Sequence, residues 1–278
     1  MNAARARPAP ALELLARPGP LLIGHRGFAH AAPENTLPSF RLALAEGVDL
    51  VELDYQASRD RVPLVIHDST LDRTTDAPAR WRQRHIQVAA RTAADTQNLD
   101  AGAWFNPRFA GARVPLLAEA LQFIQTNGLT LIERKTGSAA DCLCLLRQMG
   151  LVNHVVVQSF DWKFLRLLHE EEPAQVLAAL GPPALLANGK KPSPACKHLA
   201  ARCLDELQKT GARVAVWNRH LPRAAVERAH ARGLKVWVYT VDTLRLANRL
   251  LRAGVDGLIT NNPRLLKQSV RCRPQVGL

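Results

Sequence analysis

Asp49-Leu50-Val51-Glu52-Leu53-Asp54 is a short apolar run with two carboxylates placed two positions apart. Successive side chains of a strand point to opposite faces, so Glu52 and Asp54 share one face and Val51 and Leu53 the other. Seven more short β-branched or apolar runs flank this one: Leu21 to Gly24 before it, and Leu129 to Glu133, His154 to Gln158, Gln175 to Ala179, Arg213 to Trp217, Leu234 to Tyr239 and Asp256 to Thr260 after it. Longer helical stretches separate them. Regular alternation of strand and helix favours parallel strands joined by right-handed crossovers, and eight such units close a (β/α)8 barrel of the TIM type. Val51 and Leu53 then face the helix layer, and Glu52 and Asp54 face the barrel interior at its mouth.

A ninth run, Val62 to His67, follows the second strand too soon for a parallel crossover, which needs a dozen or more residues. It therefore returns antiparallel, as a hairpin that turns near Arg59, Asp60 and Arg61 and brings His67 back to the mouth. About sixty residues separate the hairpin from the third strand, too many for a simple loop. The segment from about 71 to 113 reads as a small insertion, polar and irregular apart from a helical stretch around Ile86 to Leu99, and Leu116 to Thr126 reads as the helix before the third strand. The expected organisation is an N-terminal extension over 1–20, a single barrel domain over 21–265 and a C-terminal tail over 266–278.

With 278 residues, 47% apolar and 22% charged, the chain can bury a full core, which excludes a disordered or collagen-like protein. A net charge of +13 attracts anions at long range. The 29 arginines and 8 lysines are scattered, however, without a block of like charge or interleaved aromatics, so no nucleic-acid partner is expected. Five cysteines (142, 144, 196, 203, 272) are odd in number and lack the spacing of a zinc ribbon or disulfide framework, which points to a reducing compartment. A soft-metal site from Cys196, His198 and Cys203 is conceivable, but buried thiols are the ordinary reading. The first residues carry no apolar core of a signal sequence and no stretch reaches the length of a membrane span, so the expectation is a cytoplasmic protein without a membrane anchor.

Two carboxylates inside a barrel mouth repel, and a cation is the usual remedy for such a buried pair. Strand three repeats the device: after apolar Leu129 to Ile132, Glu133 and Lys135 share a face. Glu52, Asp54 and Glu133 thus converge as an all-oxygen donor set suited to a hard cation such as Mg²⁺ or Ca²⁺. The alternative on spacing alone is a structural salt-bridge cluster with Lys135 and Arg26. His25 follows the first strand and His67 ends the hairpin, so both face the same mouth. Two histidines beside a cation and two fixed positive charges suit phosphodiester chemistry, in which one group activates the nucleophile and another protonates the leaving alkoxide.

His25-Arg26-Gly27, Pro33-Glu34-Asn35-Thr36, Glu52-x-Asp54, His67-Asp68, Glu133-x-Lys135 and Gly254-Val255-Asp256-Gly257-Leu258-Ile259-Thr260 together resemble, in the same order, the motifs of glycerophosphodiester phosphodiesterases. The resemblance covers roughly residues 21–265. It implies a barrel that hydrolyses glycerophosphodiesters, such as glycerophosphocholine and glycerophosphoethanolamine, to sn-glycerol 3-phosphate and an alcohol, with one divalent cation, Mg²⁺ or Ca²⁺. Carried over, Glu52, Asp54 and Glu133 are the metal ligands, His25 and His67 the acid/base pair, and Arg26 and Lys135 the phosphate holders. Tyr239 forms a wall of the glycerol pocket. Glu34 and Asn35 shape the loop after strand one or order the start of the helix Leu37 to Glu46.

The chain departs from the family pattern at three places. Asp60-Arg61 stands where an Asp-Gly turn is usual, Tyr239-Thr240-Val241-Asp242 where a Trp-led motif ending in Asn is usual, and Asn261-Asn262-Pro263 where Asp-x-Pro is usual. Trp104 and Phe105 of the insertion are placed to cover the site or to pack its core. The nucleophile is either water or the substrate's own 2-hydroxyl. The rival readings are an enzyme of the same fold acting on lysophospholipids or sphingomyelin, which needs an apolar rim or interfacial helix, and a non-catalytic anion-binding barrel. The partner is a small molecule, and the sequence leaves the oligomeric state open.

Overall fold

The computed structural model describes residues 9–271; residues 1–8 and 272–278, which include the outer parts of the two terminal segments and Cys272, lie outside the described residues. In chain order the elements are α1 (Pro10–Ala16), β1 (Leu21–Gly24), α2 (Leu37–Glu46), β2 (Leu50–Ala57), β3 (Pro63–Leu64), α3 (Ala77–Trp81), α4 (Ala93–Thr96), α5 (Leu117–Gln125), β4 (Leu129–Arg134), α6 (Ala139–Gln148), β5 (Val155–Ser159), α7 (Trp162–Glu171), β6 (Val176–Gly181), α8 (Ala201–Gln208), β7 (Val214–Asn218), α9 (Arg223–His230), β8 (Lys235–Tyr239), α10 (Leu244–Arg252), β9 (Gly257–Thr260) and α11 (Pro263–Arg271). Eight strands, all but β3, pair in parallel, and β1 closes the ring by bonding both β9 and β2. This is the (β/α)8 barrel read from the strand and helix alternation.

Register decides what meets at the mouth. Asp54 of β2 lies opposite Glu133 of β4, and Glu52 opposite Leu131. The alternation divides the apolar side chains into two cores. Leu22, Val51, Leu53 and Ile132 pack outward against the helices, whereas Ile23, Leu50, Leu131, Val156 and Trp237 fill the barrel. Below the carboxylates the interior is therefore closed by hydrocarbon.

The floor of the barrel is sealed by α1, which the sequence did not disclose. Pro10 starts this helix, where its missing N–H costs nothing, and Ala11, Leu14 and Leu15 join the inner core. Burying leucines in this way contributes roughly 1.5–3 kcal/mol each. At the other end of the chain, α11 runs on through residue 265 and packs on β1 and α2.

The hairpin forms as read: Gln56 pairs with Leu64 and Ala57 with Pro63, antiparallel. Arg61 takes the left-handed conformation, with φ 62°, that glycine would fill without strain. The turn is held by the Ser58 N–H donating to Val62 O at 3.0 Å and the Arg61 N–H to Ser58 O at 2.9 Å.

The long helix expected at Ile86 to Leu99 is not present. That segment contains a 3₁₀ turn at Val88–Ala90 and then the four-residue α4, and the insertion also carries α3, which was not expected. The cause is competing backbone bonding. The His85 and Ile86 N–H groups donate to the Asp72 carboxylate, and the Val88 N–H donates to Ser69 O. These bonds tie the segment to the start of the insertion in an extended form, and the Thr92 and Asp95 capping box starts a separate turn. Leu64, Ile66, Leu71, Ile86, Val88 and Leu99 make the insertion's own core.

Candidate active site

The loop after β1 leaves the barrel through Arg26 and Gly27. Gly27 has φ 86°, and a Cβ there would lie 2.7 Å from the backbone carbon of Ser39, so only glycine lets the loop pack against α2. Arg26 and Asn35 also adopt positive φ, 52° and 58°. Strain of this kind persists where the surroundings over-determine it. The Arg26 N–H donates to Glu52 Oε2 at 2.8 Å. Asn35 donates from Nδ2 to Asp54 Oδ2 at 2.9 Å and accepts from the Asp54 N–H at 3.1 Å. Asn35 thus clamps a carboxylate, while Glu34 accepts from the Arg26 guanidinium at 2.7 Å; neither caps the following helix.

Glu52, Asp54 and Glu133 each place a carboxylate oxygen within 4.8 Å of the others, all buried. Burial pushes the Glu52 carboxyl well above the usual range, and repulsion from Asp54 and Glu133 adds to this. Glu133 is raised to about 7 by burial and by Asp54, against the pull of Lys135. Asp54 goes the other way. Burial raises it, but Lys135 and then Arg26 outweigh burial and keep it well below the ordinary carboxylate value. The Lys135 ammonium stands 3.0 Å from Asp54 Oδ1 and also pairs with Glu133, and Arg26 Nε is 3.3 Å from Asp54 Oδ2.

The histidines are backed differently. His25 Nδ1 is 2.7 Å from Asn261 Oδ1. The Asn261 amide is oriented by Asp242, which accepts from its Nδ2 and from its backbone N–H, both at 2.8 Å. Asn261 Oδ1 is therefore an acceptor, His25 Nδ1 carries the proton, and Nε2 has no hydrogen-bond partner among the described residues. Burial, then the Arg26 charge, lower His25 to about 4. His67 Nδ1 instead meets a carboxylate, Asp68 Oδ1, at 2.7 Å. Burial lowers His67 as well, while Asp54 and the Asp68 hydrogen bond pull in the opposite direction. Asp68 is held at about 2, chiefly by the Arg73 hydrogen bond.

Of the residues singled out in the sequence, His25, Arg26, Glu52, His67, Glu133, Lys135 and Tyr239 line one cavity of about 240 Å³ at the mouth, and Asp54 lies directly behind them. The Tyr239 hydroxyl donates to Gly181 O at 2.8 Å, and its ring stands edge-on to Phe160, 6.1 Å between centroids. Trp104 and Phe105 are not among the lining residues; they pack edge to face with one another, and Phe105 meets Phe109. A larger hollow of about 600 Å³ between α2, α5 and the insertion is lined by Arg113 and Glu119 but by no histidine and no cluster of carboxylates.

Sequence reasoning gave no role to Asp68, Arg73, Asn261 or Asp242, nor to Gln158, which also lines the cavity. Asp68 was signalled by its place beside His67. Asp242 and Asn261 stood out only as departures from the family motifs, and what they contact was not signalled, because Asn261 is 236 residues from His25.

The glycerophosphoryl diester phosphodiesterase family model matches residues 25–265. The chain belongs to this family. It is accordingly a phosphoric diester hydrolase. The glycerophosphodiester phosphodiesterase of Caldanaerobacter subterraneus subsp. tengcongensis is 30% identical over 258 residues, covering 90% of this chain and 98% of the relative. Among solved structures, the glycerophosphodiester phosphodiesterase from Agrobacterium tumefaciens is similar with a TM-score of 0.70 and 28% identity, over 88% of this chain and 98% of that one. A phosphodiesterase of Oleispira antarctica, solved in complex with the product sn-glycerol-3-phosphate, shares the fold with a TM-score of 0.78 and 23% identity, over 94% and 98% of the two chains. The family's motifs and the cavity coincide: His25-Arg26, Glu52-x-Asp54, His67 and Glu133-x-Lys135 all come from the rim where the strands end.

Proposed function

We propose that this enzyme hydrolyses glycerophosphodiesters to sn-glycerol 3-phosphate and an alcohol, with one divalent cation, Mg²⁺ or Ca²⁺, held by Glu52, Asp54 and Glu133. The observation that carries the reading is the convergence of these three buried carboxylates with two imidazoles and two cationic side chains in one cavity. The donor set fits a hard cation: all its ligands are oxygens, and the three buried carboxylates bring one oxygen each within 4.8 Å of the others. Burial and mutual repulsion favour protonation of Glu52 and Glu133, and a dication reverses that preference. When bound, the cation polarises a phosphate oxygen and offsets the charge that develops in the transition state. The relatives' named activity supports the substrate class, as does the product held by the Oleispira protein.

The chain's own residues divide the remaining work. Arg26 and Lys135 hold the non-bridging phosphate oxygens, with Arg26 presenting a planar fork and Lys135 a point charge. His25 is the base: its Nδ1 proton is committed to an amide oxygen, no carboxylate hydrogen-bonds the ring among the described residues, and Nε2 takes the proton of the attacking water or substrate 2-hydroxyl. His67 is the acid: the Asp68 carboxylate behind Nδ1 supports its imidazolium, which gives the Nε2 proton to the departing alcohol oxygen. Tyr239 and Phe160 wall the cavity on the glycerol side. We read residues 21–265 as the catalytic domain and the cytoplasm as its compartment, a reading supported by the free thiols of Cys142, Cys144, Cys196 and Cys203. Among the described residues, no helix is long and apolar enough to cross a membrane.

The test is release of glycerol 3-phosphate from glycerophosphoethanolamine, followed with a coupled dehydrogenase. Turnover with Mg²⁺ or Ca²⁺ that EDTA and Glu52→Ala abolish is the expected result. Absence of turnover with every cation would overturn the substrate reading, and full turnover in EDTA would overturn the metal site.

A further inference from the structure

We infer that Arg73, a residue of the insertion outside the cavity, is a positioning residue that holds the acid histidine and the phosphate-binding arginine in a fixed relation. The inference rests on the reading of His67 as the acid. Arg73 donates from Nε to Asp68 Oδ2 at 2.7 Å and from Nη2 to Asp68 Oδ1 at 3.1 Å. The same guanidinium donates from Nη1 to Glu34 Oε2 at 2.9 Å and from Nη2 to Glu34 Oε1 at 2.7 Å. Each carboxylate then faces one functional side chain. Asp68 meets His67 Nδ1, and Glu34 meets Arg26 Nη1. The order Arg26, Glu34, Arg73, Asp68, His67 is an unbroken chain of charge-assisted bonds around the rim, with Arg73 at its centre.

The geometry needs an arginine. Two bidentate contacts use four of the five guanidinium N–H bonds in one plane, and an ammonium, with three donors on a single atom, cannot grip both carboxylates edge-on. Without Arg73, Glu34 and Asp68 are two acids with one partner each, free to follow Arg26 and His67 instead of restraining them. The chain just before Arg73 is anchored: the Leu71 N–H donates to Ile86 O at 2.9 Å, and the Asp72 carboxylate accepts from the His85 and Ile86 N–H groups. The insertion thereby supplies a rigid post for the barrel's chemistry, although Arg73 does not line the cavity.

The experiment compares two substrates, glycerophosphoethanolamine, whose alkoxide must be protonated as it leaves, and the p-nitrophenyl diester of glycerol 3-phosphate, whose phenolate leaves unaided. His67→Ala, Arg73→Gln and Arg73→Lys are assayed with both. Arg73→Gln is expected to lower kcat about 10- to 100-fold with the first substrate and little with the second, in parallel with a larger selective loss in His67→Ala. Arg73→Lys should fall between wild type and Arg73→Gln, which keeps the test open if the glutamine variant does not fold. Inhibition by inorganic phosphate should weaken in both Arg73 variants, reporting the Arg26 arm.

Selective loss in His67→Ala with equal or no loss in the Arg73 variants would overturn the positioning role. Unchanged phosphate inhibition would remove the Arg26 arm. Equal loss on both substrates in His67→Ala itself would overturn the acid assignment on which the inference stands.

Discussion

Replacing Glu133 by glutamine should stabilise the metal-free protein while destroying the site. Glu133 is buried, faces Asp54 across the β2 and β4 register, and has its proton affinity raised from 4.5 to about 7. Below pH 4.5 the residue is protonated whether the chain is folded or not, and it imposes no penalty. Between 4.5 and about 7 the unfolded chain ionises while the folded one retains its proton, so stability falls as pH rises. Above about 7 the penalty is complete, at about 3 kcal/mol. Glu133→Gln removes it with little change of shape, and Lys135 keeps its second partner, Asp54, at 3.0 Å. For a chain of this size a gain of about 3 kcal/mol raises Tm by roughly 5–10 °C. Calorimetric melting in EDTA at pH 5 and pH 8 tests the sign: the variant should melt higher than wild type at pH 8 and nearly level with it at pH 5. Excess Mg²⁺ should restore the wild-type protein and not the variant. If the variant melted below wild type at pH 8 in EDTA, the carboxylates would be stabilised by Lys135 and Arg26 alone, and repulsion would not be the reason a cation is needed.

Four other outcomes follow from the same geometry. His25→Ala and His67→Ala should each reduce kcat by about 100-fold or more with alkyl diesters, and near-normal turnover in either would remove that histidine from the mechanism. Because burial and Arg26 hold His25 near 4, its neutral form persists above that value and is lost below it, so the acid limb of kcat/KM should lie well under the ordinary imidazole value of 6.5. In the same profile, Asp68→Asn, which removes the anion behind His67, should shift the alkaline limb to lower pH, and an unmoved limb would break the link between them. Gly27→Ala should destabilise the fold by about 1–3 kcal/mol, because φ is 86° and the added Cβ meets the Ser39 backbone; a melting curve that matches wild type would show that the loop has room to yield.

The barrel and its acidic mouth were legible in the chain because both rest on local periodicity. A strand places every second residue on one face, so Glu52 with Asp54 and Glu133 with Lys135 declare their direction without any knowledge of neighbours. Strand ends, in a barrel, share one rim, which is why His25 and His67 could be assigned to the same mouth. Where the sequence reading went astray, at Ile86 to Leu99, the local pattern was helical but the Asp72 carboxylate and Ser69 carbonyl took the backbone N–H groups instead.

Tertiary structure decided what stands behind the reactive groups. The amide of Asn261 behind His25 and the carboxylate of Asp68 behind His67 make the two imidazoles unlike, and the proposed assignment of base and acid rests on that difference. The Arg73 bridge and the sealing of the floor by α1 depend on residues brought together by closure of the ring, which no spacing rule records. Periodicity tells which way a side chain points; the partner it meets is set by how distant segments pack, and here those partners determine the protonation of the site.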